Sequence, residues 1–391
     1  MGIKSLNYLI KKYSPNAINN RFLCTYENKV VAIDTSIYLY RYIYRSGNPL
    51  ELFVKQIMRF LKNKVIPLYI FDGKPPIEKA DVLNDRSSRK NVLLYKQYKL
   101  NNAIALKKGL KDTNEVGVEI DNDGEILVDK KYIEKMENIC KECYDKEYED
   151  RLLEYDVEDL VDELDTVQKN IIIINDKVIQ ECKNLFTLMG IPYIVAKGEA
   201  EALCAALIKK NYVHACLSED TDILPNGGTL FINTFNENNN KVIEYDLNKI
   251  LNSFEMTYEQ FVDMCILCKC DYTTTIENIG RERAYQLIKE HKSIEKIIEK
   301  IKDNPRYVVP ENFDYKRARE LFLNCGDGEN FEEIKKKIKL NQPQVDKVIS
   351  LIENTSKINT ITDIKRNLRK FYNELEKRNE TSLHNFYTTN T

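Results

Sequence analysis

Short runs of β-branched and aromatic residues, each closing on an acid, recur along the chain: Val30–Asp34 (VVAID), 66–72 (IPLYIFD) and 214–220 (HACLSED). A fourth, 192–195, leads into Lys197-Gly198-Glu199. Continuous apolar runs of this length, bounded by turn residues, are expected of strands covered on both faces. Between them lie stretches with apolar residues at helical spacing, such as 178–190 and 199–210. This alternation predicts an α/β fold with a mainly parallel central sheet flanked by helices. Ligands of open α/β sheets gather outside the carboxyl ends of the strands, so the terminal acids are expected to share one crevice.

Directly after Asp34, Thr35-Ser36 and the spacing of Ile37, Tyr40 and Tyr44 predict the start of a helix. The pattern is mostly helical from 253 to 323 and again over 332–376, beyond the turn residues Asn324-Cys325-Gly326. Of 391 residues, 43% are apolar, enough for a sizeable core, and one catalytic core with additions is expected. No stretch approaches 18 uncharged apolar residues, and the N-terminus lacks a signal-type apolar segment, so no membrane association is expected. Myristoylation at Gly2 is rejected because Leu6 stands where Ser or Thr is required.

Ten scattered cysteines suggest reduced thiols, and a zinc site of Cys140/Cys143 with Cys265/Cys268/Cys270 is the alternative. With three histidines far apart in sequence, a metal here is expected to be held by carboxylates.

The whole-chain charge of −2 conceals an asymmetry. Residues 112–165 hold 21 acidic against 6 basic side chains, a local −15 that leaves +13 elsewhere. Residues 79–111 carry nine basic side chains, Arg89 and Lys90 among them, against two acidic ones. Such a concentration suits a phosphate-binding surface, and a solvated helix face is the alternative. The acidic block mixes turn residues (114–125) with a weakly amphipathic run (157–167) and is expected to be an insertion with one or two helices.

Seven acids are expected to line the crevice: Asp34, Asp72, Glu199, Glu201, Asp220, Asp222 and Asp271. Glu199/Glu201 and Asp220/Asp222 are i, i+2 pairs where a strand gives way to a helix, a turn that lets both carboxylates face one cavity. Any one of them alone reads equally well as a helix cap. Together they would repel unless cations sat among them. Hard oxygen donors suit Mg²⁺, and two such ions meet the needs of phosphodiester hydrolysis: an acidified water and a neutralised leaving oxygen. Lys79 and Arg86 stand seven apart, two helical turns on one face, with Lys90 a turn further.

These blocks resemble the flap endonuclease family of the xeroderma pigmentosum group G superfamily: MGIKSLNYLI, VVAIDTSIYLYRY, FDGKPPIEKADVLNDRSSRK, KGEAEALCAAL, LSEDTDIL and CILCKCDYTTTIENIG, in family order and over nearly the whole chain outside the acidic block. The resemblance implies a PIN-like 5′ nuclease core with a helical arch insertion and a C-terminal helix-hairpin-helix region. It implies that the seven acids bind two Mg²⁺, with Mn²⁺ able to substitute, and that Lys79 and Arg86 act on the scissile phosphate. Tyr40 is expected to stack on the terminal base, though its spacing fits a core position too, and Gly2 to approach the substrate. The implied activity is flap endonuclease and 5′-3′ exonuclease cleavage of branched DNA in replication and repair. Gap or junction cutting and a non-catalytic clamp-recruited scaffold are the alternatives.

Departures from the family pattern are informative. In the hairpin (273–288), Asn278 stands for the usual first glycine, Arg281 for the proline after Gly280, and Lys269 for a glycine before Cys270. Asn278, Gly280 and Arg281 are expected to hold duplex phosphates, while the role of K⁺ is open. The acidic block enlarges the arch and is expected to compete with DNA for the basic surface. At the tail, Leu383, Phe386 and Tyr387 resemble the sliding-clamp-binding box, with Glu380 where Gln is usual.

The expected organisation is 1–111, an N-terminal nuclease region with a basic gateway; 112–170, the acidic insertion; 171–252, an internal nuclease region; 253–370, the helical DNA-binding part; and 371–391, the tail. A monomer is expected in the nucleus, with a cytoplasmic viral replication site as the alternative.

Overall fold

The structure, a computed structural model, describes residues 2–3, 5–107, 152, 154–171, 174–355, 366–370 and 372. Two units emerge: Met1–Tyr42, Asn48–Lys79 and Gln180–Thr391 form one, and Ile43–Gly47 with Ala80–Ile179 the other.

The first unit is built on a seven-stranded sheet whose strands run, from one edge to the other, Ile18–Phe22, Lys241–Asp246, Leu230–Asn236, Ala215–Leu217, Val30–Asp34, Ile66–Phe71 and Tyr193–Val195. Its strands are β1 (Ile18–Phe22), β2 (Val30–Asp34), β3 (Ile66–Phe71), β4 (Tyr193–Val195), β5 (Ala215–Leu217), β6 (Leu230–Asn236) and β7 (Lys241–Asp246). The pairings β2/β3, β2/β5, β3/β4 and β5/β6 are parallel. β7 pairs antiparallel with both β6 and β1. The four apolar runs read from sequence are β2 to β5, at the centre and one flank.

Helices lie before and between the strands in chain order. Among them are α1 (Leu6–Tyr13), α2 (Thr35–Ser46), α3 (Leu50–Lys62), the long α4 (Ala80–Lys107), α5 (Val157–Asn170), α6 (Asp176–Leu188) and α7 (Ala200–Lys209). α2 starts immediately after Asp34, as the spacing predicts. One sheet face is sealed by aromatic rings: Tyr69 of β3 stacks on Phe186 of α6 at 4.1 Å, and Phe53 of α3 meets both edge-on. Buried rings of this size carry much of a core's apolar area, which fixes the strand ends that bear Asp34 and Asp72.

After β7 the chain is helical: α8 (Leu247–Phe254), α9 (Tyr258–Leu267), α10 (Arg281–His291), α11 (Ile294–Ile301), α12 (Tyr315–Leu323), α13 (Phe331–Lys337) and α14 (Val345–Thr355). α9 begins with a full capping box, Thr257 with Gln260. Asp263, buried on α9, ties this region together. Its carboxylate takes both prongs of the Arg319 guanidinium from α12 at 2.6 and 2.8 Å, and the Ile294 amide that opens α11 at 3.2 Å. Glu295 receives the same guanidinium at 2.8 Å, which holds its carboxyl down at about 2.

In the second unit α4 packs on α5 around Leu100, Leu152, Leu160 and Val167. Lys96 of α4 pairs with Glu163 of α5 at 2.5 Å. The basic residues of α4 therefore belong to the same unit as the described part of the acidic block. Within the described residues, the amphipathic run 157–167 is a packed helix, capped by Asp156 on the amide of Asp159.

Among the described residues no helix is long and apolar enough to cross a membrane.

Candidate carboxylate active site

Six of the seven acids stand at the end of a strand or at the start of a helix or 3₁₀ turn. Asp34 is the last residue of β2, and Asp72 follows β3. Glu199 is the N-cap of α7, with Glu201 in its first turn, while Asp220 caps a 3₁₀ turn that contains Asp222. β2 lies between β3 and β5 in the sheet, so these carboxyl ends are neighbours by topology.

Local donors aim the side chains. Ser218 donates to Asp34 at 2.9 Å and accepts the Asp220 amide at 3.0 Å. Ser36 donates to Asp72 at 2.5 Å, and the Ala200 amide donates to its other oxygen at 2.8 Å. The Asp222 amide reaches Asp220 at 3.0 Å, and Asp222 in turn accepts the Ile3 amide at 3.0 Å. The N-terminus thus touches the site. Gly2 is left-handed (φ +71°), and a Cβ there would collide with the carboxylates of Asp220 and Asp222. Only glycine fits so close.

The seven charges form one electrostatic network. Asp34 interacts with Asp72 and Asp220, Glu201 with Glu199, Asp220 and Asp34, and Asp222 with Asp220 and Asp271. Burial, followed by the field of Asp72, pushes the Asp34 carboxyl up to about 7. Burial and like charge also raise Glu201 and Asp222 well above the ordinary carboxylate range, and burial raises Asp220. At an effective dielectric near 20, two like charges 4 Å apart repel by about 4 kcal/mol. Such a network is relieved by taking up protons or by binding cations.

One cation is internal. Lys79, only 6% exposed, bonds Glu199 directly and reaches Glu201 at 3.4 Å. Burial alone would lower its ammonium, yet Glu201 and Glu199 hold it above the usual lysine range. Lys79 does not sit on the helix face that its spacing predicts. Lys79 ends a 3₁₀ turn (Ile77–Lys79), its amide bonded to the Pro76 carbonyl at 3.1 Å, and α4 begins only at Ala80. Pro75-Pro76 set up this turn, so Lys79 does not share a helix face with Arg86 and Lys90. Arg86, Arg89 and Lys90 lie on α4 in the second unit.

Among the described residues, no group of three or more His, Cys, Asp or Glu side chains encircles a single point as a ready-made cage. The donor set nevertheless fits a hard divalent ion. It consists of carboxylate oxygens, and Asp222, 1% exposed, keeps one buried oxygen with no hydrogen-bond partner. Cys265, Cys268 and Cys270 are buried free thiols, whereas Cys140 and Cys143 lie outside the described residues.

Tyr40 is 47% exposed, which removes the core alternative for its ring. Asn278 takes the left-handed conformation (φ +61°) that the usual glycine would, and its side-chain amide donates to the Arg306 carbonyl at 2.8 Å. Gly280 caps α10. Arg281 lies over the Tyr8 ring at 3.8 Å. Leu383, Phe386 and Tyr387 lie outside the described residues.

Ser36, Ser218 and Tyr272 were not singled out from sequence. Ser36 and Ser218 each stand two positions from a cluster acid and Tyr272 beside Asp271, a proximity that periodicity does not flag.

Comparison with known proteins finds related sequences and folds. Residues 1–92 match the XPG N-terminal domain and residues 190–271 the XPG I-region. Flap endonuclease 1 of Danio rerio is 33% identical over 372 residues, covering 90% of this chain and 82% of the relative. The catalytic core of Rad2 in complex with DNA substrate superposes with a TM-score of 0.63 at 18% identity, over 94% of this chain and 100% of that one. Flap endonuclease-1 from Methanococcus jannaschii gives 0.57 at 21% identity, over 92% and 97%.

Proposed function

The chain belongs to the flap endonuclease family, and on that premise we propose that it cuts DNA phosphodiesters at 5′ flaps as a magnesium-dependent endonuclease and 5′-3′ exonuclease of replication and repair. The observation that carries this reading is the network of seven carboxylates with an unpartnered, buried oxygen on Asp222.

Two magnesium ions, for which manganese would substitute, would when bound supply an acidified water and neutralise the leaving oxygen. Asp34, Asp72, Glu199, Glu201, Asp220, Asp222 and Asp271 are the residues to hold them, directly or through water. Lys79 offers its ammonium to the charge that develops on the scissile phosphate, and Arg86 does the same from α4. The exposed ring of Tyr40 is a platform for the terminal base, and Gly2 lets the substrate approach the chain's start. Arg89 and Lys90 suit the phosphates of the 5′ strand. At the hairpin, Asn278, Gly280 and Arg281 face duplex phosphates, with K⁺ as an auxiliary ion. The protein works as a monomer in the nucleus, recruited by a sliding clamp through Leu383, Phe386 and Tyr387.

The deciding experiment incubates the purified protein with labelled 5′-flap, gapped, four-way-junction and unbranched DNA, in Mg²⁺ or in EDTA. Cutting at the flap base that needs Mg²⁺ supports the reading. Preference for the gap or the junction replaces it, and binding without cutting leaves a scaffold.

Asp34 also makes stability depend on pH. Its ordinary value of 3.8 rises to about 7 on folding, so the folded chain holds a proton that the unfolded chain releases. This contribution is complete below 3.8 and lost as pH rises through about 7. In EDTA the melting temperature is therefore expected to fall between about pH 5 and 8. Saturating Mg²⁺ should flatten that slope, and equal slopes with and without the ion would refute the shared-site premise.

For the tail, removing residues 380–391 is expected to weaken binding to an immobilised sliding clamp at least about tenfold, near 1.4 kcal/mol. Clamp-free flap cutting should be unchanged. Equal clamp binding by both forms would discard the box.

A further inference from the structure

Tyr272 follows Asp271 in sequence yet serves a different part of the site. Its hydroxyl donates to Glu199 at 2.6 Å, to the oxygen that Lys79 does not use. The face of its ring lies 5.3 Å from the Lys79 ammonium. The ring itself is fixed, being 6% exposed and meeting the fully buried Phe322 of α12 edge-on at 4.9 Å. One rigid side chain thus touches both partners of the Lys79–Glu199 pair.

We propose that Tyr272 is a positioning residue of the nuclease site: its hydroxyl sets the orientation of Glu199, and its ring keeps the Lys79 ammonium at the site when a divalent ion claims Glu199 and Glu201. The proposal rests on the nuclease reading above. The physical case is a competition. Lys79 and a divalent cation seek the same carboxylate oxygens, and an ammonium displaced from them would turn to solvent unless another surface held it. A buried aromatic face is such a surface, because its quadrupole attracts a cation most strongly where water is scarce. Tethering the ammonium there preserves its aim at the substrate phosphate. The hydroxyl keeps Glu199 in one rotamer whichever cation it faces.

Two substitutions separate the two contacts. Tyr272→Phe removes only the hydroxyl, and going on to Tyr272→Leu removes the ring. Metal binding is read by Mn²⁺ titration calorimetry without DNA, and chemistry by single-turnover cutting of a 5′-flap duplex. The Phe variant is expected to bind Mn²⁺ about threefold more weakly, in line with the loss of one orienting hydrogen bond. The Leu variant is expected to cut about tenfold more slowly than Phe, with the flap Kd within twofold, the scale of a lost cation–π contact. In a Lys79→Met background the Phe-to-Leu step should cost less than twofold, because Tyr272 then has no ammonium to place.

Unchanged Mn²⁺ affinity in the Phe variant overturns the Glu199 half. Equal cutting by Phe and Leu, or a Phe-to-Leu loss that persists with Met at 79, overturns the Lys79 half. If the Leu variant melts early in EDTA, Tyr272→Met supplies the ring deletion with a closer fit to the Phe322 pocket. Failure of the nuclease reading is distinct: the unaltered protein would then neither cut the flap nor bind Mn²⁺.

Discussion

Asp220→Ala is expected to slow single-turnover flap cutting by at least about a thousandfold, or 4 kcal/mol of transition-state stabilisation at about 1.4 kcal/mol per tenfold. Binding of the flap in Ca²⁺ or EDTA should stay within threefold. Asp220 sits at the centre of the charge network, near Asp34, Glu201, Asp222 and Asp271. Deleting its carboxylate weakens the hold on any ion placed there. Stability should not suffer as it does in most buried deletions. Losing its bond to the Asp222 amide, 3.0 Å long, costs about 1 kcal/mol as a cap, while relief of repulsion among buried carboxylates offsets that. The melting temperature in EDTA is thus expected to hold steady. Cutting that survives within tenfold of the unaltered protein would show that the carboxylates are not the catalytic centre.

Arg319→Met is expected to cost about 3–5 kcal/mol of folding stability, the range for breaking a buried ion pair from one side. The guanidinium grips Asp263 through two bonds, and Asp263, 3% exposed, would be left charged in the interior. Burial raises the Asp263 carboxyl even with Arg319 present, the mark of a site that pays for its charge. Urea denaturation followed by circular dichroism measures the loss. The double substitution Asp263→Leu with Arg319→Met should recover most of it, since removing both charges leaves only packing to adjust. A loss under about 1 kcal/mol for Arg319→Met alone would class the pair with exposed ones.

The parts of the fold that position the chemistry were legible because central parallel strands must be apolar throughout. β2, β3 and β5 announce themselves for that reason, as do the acids at their ends. β1, β6 and β7 were not. INNRF of β1 has no apolar run and pairs with β7 along a sheet edge, and β6 joins β7 through an Asn-rich turn where Asn240 is left-handed. The helix after Asp34 followed from spacing. The setting of Lys79 did not, because a sequence that continues into a helix conceals a prior 3₁₀ turn imposed by prolines. Tyr40 became informative only through its exposure. The Asp263–Arg319 pair spans 56 residues, and no local pattern marks such a partnership.

The pairing of Lys79 with Glu199 and Glu201 also bears on how the protein comes into being. Two of the least tolerable charges are already answered by a side chain attached to the same polymer. A nascent molecule can therefore close this pocket with no ion present, its own ammonium serving as the countercharge.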